Sequence, residues 1–159
     1  MSNNIIELKS FYEKNSELID LDIFYNWFVR KLNINYFYNW PKYIKERQIW
    51  LCYLWQNIDW EQNWEKENFL RPILILKSWW TKVKHITALP LTKNYNKNWI
   101  FTFKLDKKQY TFLDFNSVVL IDKIKTLSKQ RIIWYKSLWY ISKDDFIQIK
   151  EKIRELYNL

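Results

Sequence analysis

A chain of 159 residues, 48% of them hydrophobic, is long enough for one domain with a real core and a modest appendage, and cramped for two. One cysteine, Cys52, and one histidine, His85, exclude an internal disulfide, a Cys/His zinc site and any mechanism that needs two histidines. The net charge of +9 is unevenly spread. Residues 71–136 carry fourteen Lys and Arg against three acids, residues 1–30 carry three against five, and the remainder balances. Such a basic centre draws polyanions, although a solvated basic surface has the same composition. The hydrophobic runs are too short for a membrane span, and MSNNIIELKS lacks a basic stretch followed by an apolar one. The cytoplasm is therefore the expected compartment, with no membrane partner.

In chain order, Leu18, Phe24, Trp27 and Phe28 recur near helical spacing, so one or two helices are expected over residues 3–33. Residues 33–45 read as a connector containing Trp40-Pro41, because the residue before a proline is pushed away from the helical region. From Arg47 onward the pattern changes to short strand-like runs separated by polar breaks, the signature of a small barrel or sandwich. Strands are predicted over residues 48–54, 72–77, 85–91, 100–105, 117–121 and 131–135. Between the first two lies WQNIDWEQNWEKENFLR, a long polar loop of the kind that carries function. A helix closes the chain: Ser142 and Asp145 are spaced as a capping box, and Phe146, Ile149, Ile153 and Leu156 form one apolar stripe. The expected division is a helical extension over residues 1–45 and a barrel domain with its closing helix over residues 46–159.

Glycine is absent while tryptophan occurs eleven times. Average usage of about 7% Gly would supply roughly eleven glycines in this length. A barrel with tight turns needs positive φ somewhere, and glycine is the residue that adopts it without strain. We therefore expect some of these tryptophans to be glycine in the native protein, through a stop codon reassigned to Gly. Intact mass of protein from the native host tests this, and a mass matching eleven Trp ends the idea.

The order IWLCYL, NIDWEQNW, FLRPILILK, ITALPLT, NSVVLIDKIKT, SKQRI and LWYISKDDF, from about Glu46 to Leu156, resembles the MazF/PemK family of toxin endoribonucleases. Each piece is weak alone; their order and joint presence carry the likeness. The resemblance implies a mainly β (α+β) fold, an SH3-like small β-barrel of the MazF/PemK/CcdB type, here with an N-terminal helical extension and a C-terminal helix. It also implies a homodimer that cuts single-stranded RNA with neither metal nor cofactor, using the RNA's own 2′-hydroxyl, and a cognate antitoxin that restrains it. The family's catalytic arginine falls on Arg71 of FLRPILIL and its catalytic threonine on Thr92 of ALPLT. Trp55, Trp64 and Trp139 stand where related toxins commonly carry Gly, and Lys123 replaces a common Gln.

Those identities suit the chemistry. When a 2′-oxygen attacks phosphorus, negative charge gathers on the nonbridging oxygens, which a guanidinium meets in a bidentate fashion. A threonine hydroxyl can donate to the same phosphoryl group and hold the attack in line. Glu61 and His85 are the alternative proton partners. For RNA contacts, Trp60 offers a stacking face and Gln62 and Asn63 base-edge partners, while Lys123, Lys125 and Arg131 suit the backbone. Ser117 either lines the groove or starts a buried strand. Two other functions fit the same fold: a non-catalytic toxin of the CcdB type that binds gyrase, and an inactive RNA binder covered by the acidic N-terminal helices. The pairing of Arg71 with Thr92 favours the nuclease over both.

Overall fold

The computed structural model describes residues 10, 13–14, 21–37, 43–54, 70–78, 83–95, 100–133 and 139–158. Helix α1 (Leu21–Phe37) precedes the strands β1 (Gln48–Tyr53), β2 (Leu70–Ser78), β3 (His85–Thr92), β4 (Thr102–Leu105), β5 (Ser117–Leu120), β6 (Lys125–Ser128) and β7 (Trp139–Tyr140), and α2 (Lys143–Tyr157) follows them. Two 3-10 turns, Ile121–Lys123 and Lys129–Arg131, flank β6. The strands run in the order β4-β5-β3-β2-β1-β7, and β6 joins β3 off that path. The paired strands are antiparallel, and a register shift between Ile75 and Lys77 bends β2. The chain leaving β6 turns back onto β1, where Ile132 bridges Cys52 and the Ile133 amide donates to the Leu51 carbonyl at 3.0 Å. The sheet thereby curls into a small, mostly β barrel, accompanied among the described residues by α1 and α2.

Alternation along the strands divides the interior in two. On the inner face Trp50, Cys52, Leu54, Ile73, Ile75, Ile86, Ala88 and Ile132 pack together. On the other face Ile49, Leu74, Leu89, Leu91, Leu105 and Val119 pack with Phe146 and Ile149 of α2. Because β2 is covered on both sides, PILIL reads as a continuous apolar run with no polar alternation. Gln48, fully buried, is satisfied throughout: its Oε1 accepts from the Lys45 amide at 2.7 Å and from Trp50 Nε1 at 2.9 Å, and its Nε2 donates to Tyr140 Oη at 2.7 Å.

Half of the expected capping box forms. Ser142 Oγ accepts from the Asp145 amide at 3.0 Å, but the Asp145 carboxylate binds Tyr110 Oη and Gln109 Nε2, and the Ser142 amide donates to Tyr110 Oη at 3.0 Å. Tyr110 thus relays the reciprocal bond and ties α2 to the barrel. At the far end of α2, Asn158 takes φ 53 and its amide donates to the carbonyls of Arg154 and Glu155, the role usually filled by glycine.

Several sequence expectations are corrected. Helix α1 runs to Phe37, into the expected connector, while residues 3–20 of the expected helical stretch lie almost wholly outside the described residues. Among its described side chains, Trp27 and Ile34 are buried and pack on Tyr53 and Ile133, whereas Phe28 is half-exposed. The expected strand over residues 131–135 is a 3-10 turn followed by the single bridge at Ile132, with residues 134–138 outside the described residues. The short strands β6 and β7 were unforeseen: four and two residues carry too little pattern to register. Among the described residues no helix is long and apolar enough to cross a membrane.

Candidate active site at the mouth of the barrel

Strands β2 and β3 pair with Ile73 opposite Pro90, Leu74 opposite Leu89 and Ile75 opposite Ala88. Arg71 and Thr92 each lie two residues beyond the Ile73 and Pro90 pair, on neighbouring strands. With a period of two, both belong to the face of Ile73, Ile75 and Ala88, at the mouth of the barrel. There the strands exchange partners. Thr92 pairs with Val118 of β5, and Arg71 pairs with Cys52 of β1. Lys125 stands opposite Ala88 and shares this face from the other side of β3.

Arg71 is buried, only 7% exposed, and burial lowers its pKa from the ordinary value. A guanidinium so placed remains a cation at neutral pH, with its field strengthened by low-dielectric surroundings. Thr92 is half-buried, and its Oγ1 accepts from the Asn94 amide at 3.3 Å. That bond uses an oxygen lone pair and leaves the O–H to donate. Cys52, across the ladder from Arg71, is fully buried; burial pushes its thiol up to about 12, with the positive charge of Arg131 opposing. It is an inert core thiol, unsuited to act as a nucleophile.

The remaining sequence candidates separate. Glu61, Trp60, Gln62 and Asn63 lie outside the described residues. His85 is exposed at the opposite end of β3, seven residues before Thr92, which at ~3.3 Å per residue is about 23 Å along the strand. It is therefore no proton partner for a phosphate held at Thr92. Ser117 is 3% exposed, and its Oγ donates to the Phe115 carbonyl at 3.1 Å. Its side chain alternates away from that of Val118, the partner of Thr92, so of its two readings the structure favours the start of a buried strand. Lys123 is half-buried and forms an ion pair with Asp122 at 3.6 Å.

Lys125 and Arg131 do come together. They line a cleft of about 470 Å³ along β6, with Leu54, His85, Thr126, Leu127 and Ser128. Sequence reasoning missed this cleft because His85 and Ser128 meet only through the pairing of β3 with β6. Lys129 also escaped notice: it is 3% exposed, and burial lowers its pKa from the ordinary value.

The glycine question receives a partial answer. Trp55 and Trp64 lie outside the described residues. Trp139 stacks on Phe112 with ring centroids 5.4 Å apart. Among the described residues positive φ occurs only at Arg47 and Asn158, so the backbone at Trp139 has no requirement for glycine. At Arg47, with φ 70, hydrogen bonds hold the left-handed geometry. Its amide donates to Ile75 O at 3.0 Å, and its Nε and Nη2 donate to Ile141 O at 3.0 and 2.6 Å.

Residues 45–157 match the model of the family described as PemK-like, MazF-like toxin of type II toxin-antitoxin system. Among solved structures, the chain is similar to MazF from Deinococcus radiodurans, at 21% identity and a TM-score of 0.55 over 74% of this chain and 99% of that one. It is also similar to the Mycobacterium tuberculosis toxin MazF-mt6, at 19% identity and a TM-score of 0.54 over 71% and 98% of the two chains. A third similar structure is a mycobacterial endoribonuclease in complex with its cognate antitoxin, at 13% identity and a TM-score of 0.52 over 74% and 97%. No curated protein matches the chain. With the family model spanning the whole barrel and α2, and the barrel shared with these toxins, the chain belongs to the PemK-like, MazF-like toxins of type II toxin-antitoxin systems.

Proposed function

We propose that the protein is an endoribonuclease that cuts single-stranded RNA by attack of the RNA's own 2′-hydroxyl, leaving 2′,3′-cyclic phosphate and 5′-hydroxyl ends without a metal. The observation that carries this reading is the common face of Arg71 and Thr92 at the mouth of the barrel. Arg71 meets the charge that develops on the nonbridging oxygens, from a buried position where a cation acts most strongly. Thr92 donates its hydroxyl to the same phosphoryl group while the Asn94 amide orients its oxygen. Glu61 is the candidate base. Trp60, Gln62 and Asn63 would read unstacked bases, and Lys123, Lys125 and Arg131 would hold the backbone.

The similar mycobacterial endoribonuclease was solved with its cognate antitoxin. We extend that to this chain: an antitoxin occupies the basic face, the toxin acts as a homodimer, and it does so in the cytoplasm. The test is incubation of purified protein with mixed RNA in EDTA, with mapping of the new ends. Cyclic phosphates from the wild type and none from Arg71→Ala or Thr92→Ala are expected. Cleavage that survives Arg71→Ala sinks the assignment.

A further inference from the structure

Helix α1 lies outside the segment that matches the toxin family, yet it reaches the basic cleft. Trp27 is 2% exposed and packs with Tyr53 and Ile133. The guanidinium carbon of Arg131 sits 5.6 Å from the centroid of the Trp27 ring, and Arg131 Nη1 donates to the Tyr53 carbonyl at 3.3 Å. Helix α1 adds a second contact of the same kind, with Arg30 5.1 Å above the Tyr53 ring. Arg131 is thus held by an aromatic face and a carbonyl, neither of which cancels its charge. A guanidinium carries five N–H donors and the carbonyl occupies one, so others remain for an anion.

Arg131 also lines the cleft, with Lys125, His85, Thr126 and Ser128. Among the described residues every charged side chain in that lining is basic, and the threonine and serine add hydroxyl donors. Among the described residues β6 pairs only with β3, so no strand covers the edge of β6 that faces the cleft. Lys125 belongs both to this lining and to the inner face of Arg71 and Thr92, which joins the cleft to the proposed reaction site.

We propose that this cleft is a phosphodiester subsite that grips the RNA strand away from the scissile bond, and that Trp27 is the positioning residue that sets Arg131 for it. The proposal rests on the reading of the protein as an RNA-cleaving toxin and gives the appended helix a part in substrate binding. The helix would then be an extension of the RNA-binding surface, contrary to the covering role considered from the sequence. A neutral apolar ligand is disfavoured by the lining. An RNA strand supplies the regularly spaced anions that it fits.

The test is binding of a fluorescent 2′-O-methyl oligoribonucleotide, which cannot be cut because its 2′-oxygen is blocked, across a salt series, with cleavage of ordinary RNA measured beside it. Lys125→Ala and Arg131→Ala are each expected to weaken binding about tenfold and to lower the slope of log affinity against log salt by about one. Trp27→Leu weakens it about threefold, the size of a partly exposed cation–π contact, and Trp27→Phe restores most of that loss. In the Arg131→Ala background, Trp27→Leu costs nothing further. Wild-type affinity and slope in Arg131→Ala, or an equal loss from Trp27→Leu with and without Arg131, overturns the subsite while wild-type cleavage leaves the nuclease reading standing. A wild type that neither binds nor cuts RNA overturns both.

Discussion

The foot of α2 and the mouth of the barrel both place polar groups out of full contact with solvent, and they do so in opposite ways. At the foot, Tyr110, Ser142, Asp145 and Gln109 match donor to acceptor within the fold. Along β6, among the described residues, Lys125 and Arg131 line one cleft with charges of one sign. The closed set fixes a helix; the one-signed set is disposed to meet something negative from outside. Like charges held in a fold oppose stability, which is the usual cost of a preorganised binding surface.

The largest expected effect breaks the comparison at its basic end. Arg71→Ala is expected to lower kcat/KM for RNA cleavage by about 10³-fold, since it removes one transition-state cation. Thr92→Val is expected to cost about 10²-fold, with Thr92→Ser retaining most activity, because only the hydroxyl is asked to act. If either variant instead lost stability while keeping activity, the mouth would be as structural as the foot.

At the closed end the pattern reverses. Tyr110→Phe is expected to destabilise the fold by about 1–2 kcal/mol in denaturant titrations and to leave cleavage of RNA unchanged. Its hydroxyl serves Asp145 and Ser142 together. Burial and the bond to Asp145 also raise the Tyr110 pKa from its ordinary value.

Cys52 sharpens the contrast through pH. Its folded-state pKa is raised from 9.0 to about 12, so the native state holds the proton more tightly than the unfolded chain. The stability this contributes is intact below pH 9 and lost as pH rises through 12. Cys52→Ala should therefore flatten the alkaline limb of stability against pH, and native Cys52 should resist alkylation near pH 8. Rapid modification of the folded protein would contradict its place in the core. The smallest effect concerns Arg47. Arg47→Gly should be less destabilising than Arg47→Ala, by about 1 kcal/mol, because both lose the bonds to Ile141 O but only alanine keeps the left-handed strain.

Much of the fold was legible along the chain. β1, β2, β3 and β5 fall on their apolar runs, and α2 begins at its serine cap. These elements declare themselves because their patterns are local: an apolar run, a cap, a stripe of period near four. The candidate pair Arg71 and Thr92 was legible only through resemblance. An arginine before a proline and a threonine ending a strand have ordinary structural roles, and nothing local distinguishes them. Ser117 shows the limit, since its facing depends on the pairing of β5 with β3.

By itself the sequence determined the strand runs, the closing helix and a basic centre, since propensity, periodicity and charge are properties of neighbouring residues. Only the tertiary structure decided which side of each ladder meets which. It put Arg71 and Thr92 on one face, relayed a helix cap through Tyr110, and set Trp27 of an appended helix against Arg131, more than a hundred residues away. Those choices depend on strand register and on closure of the barrel, where a shift of one residue turns every side chain to the opposite face.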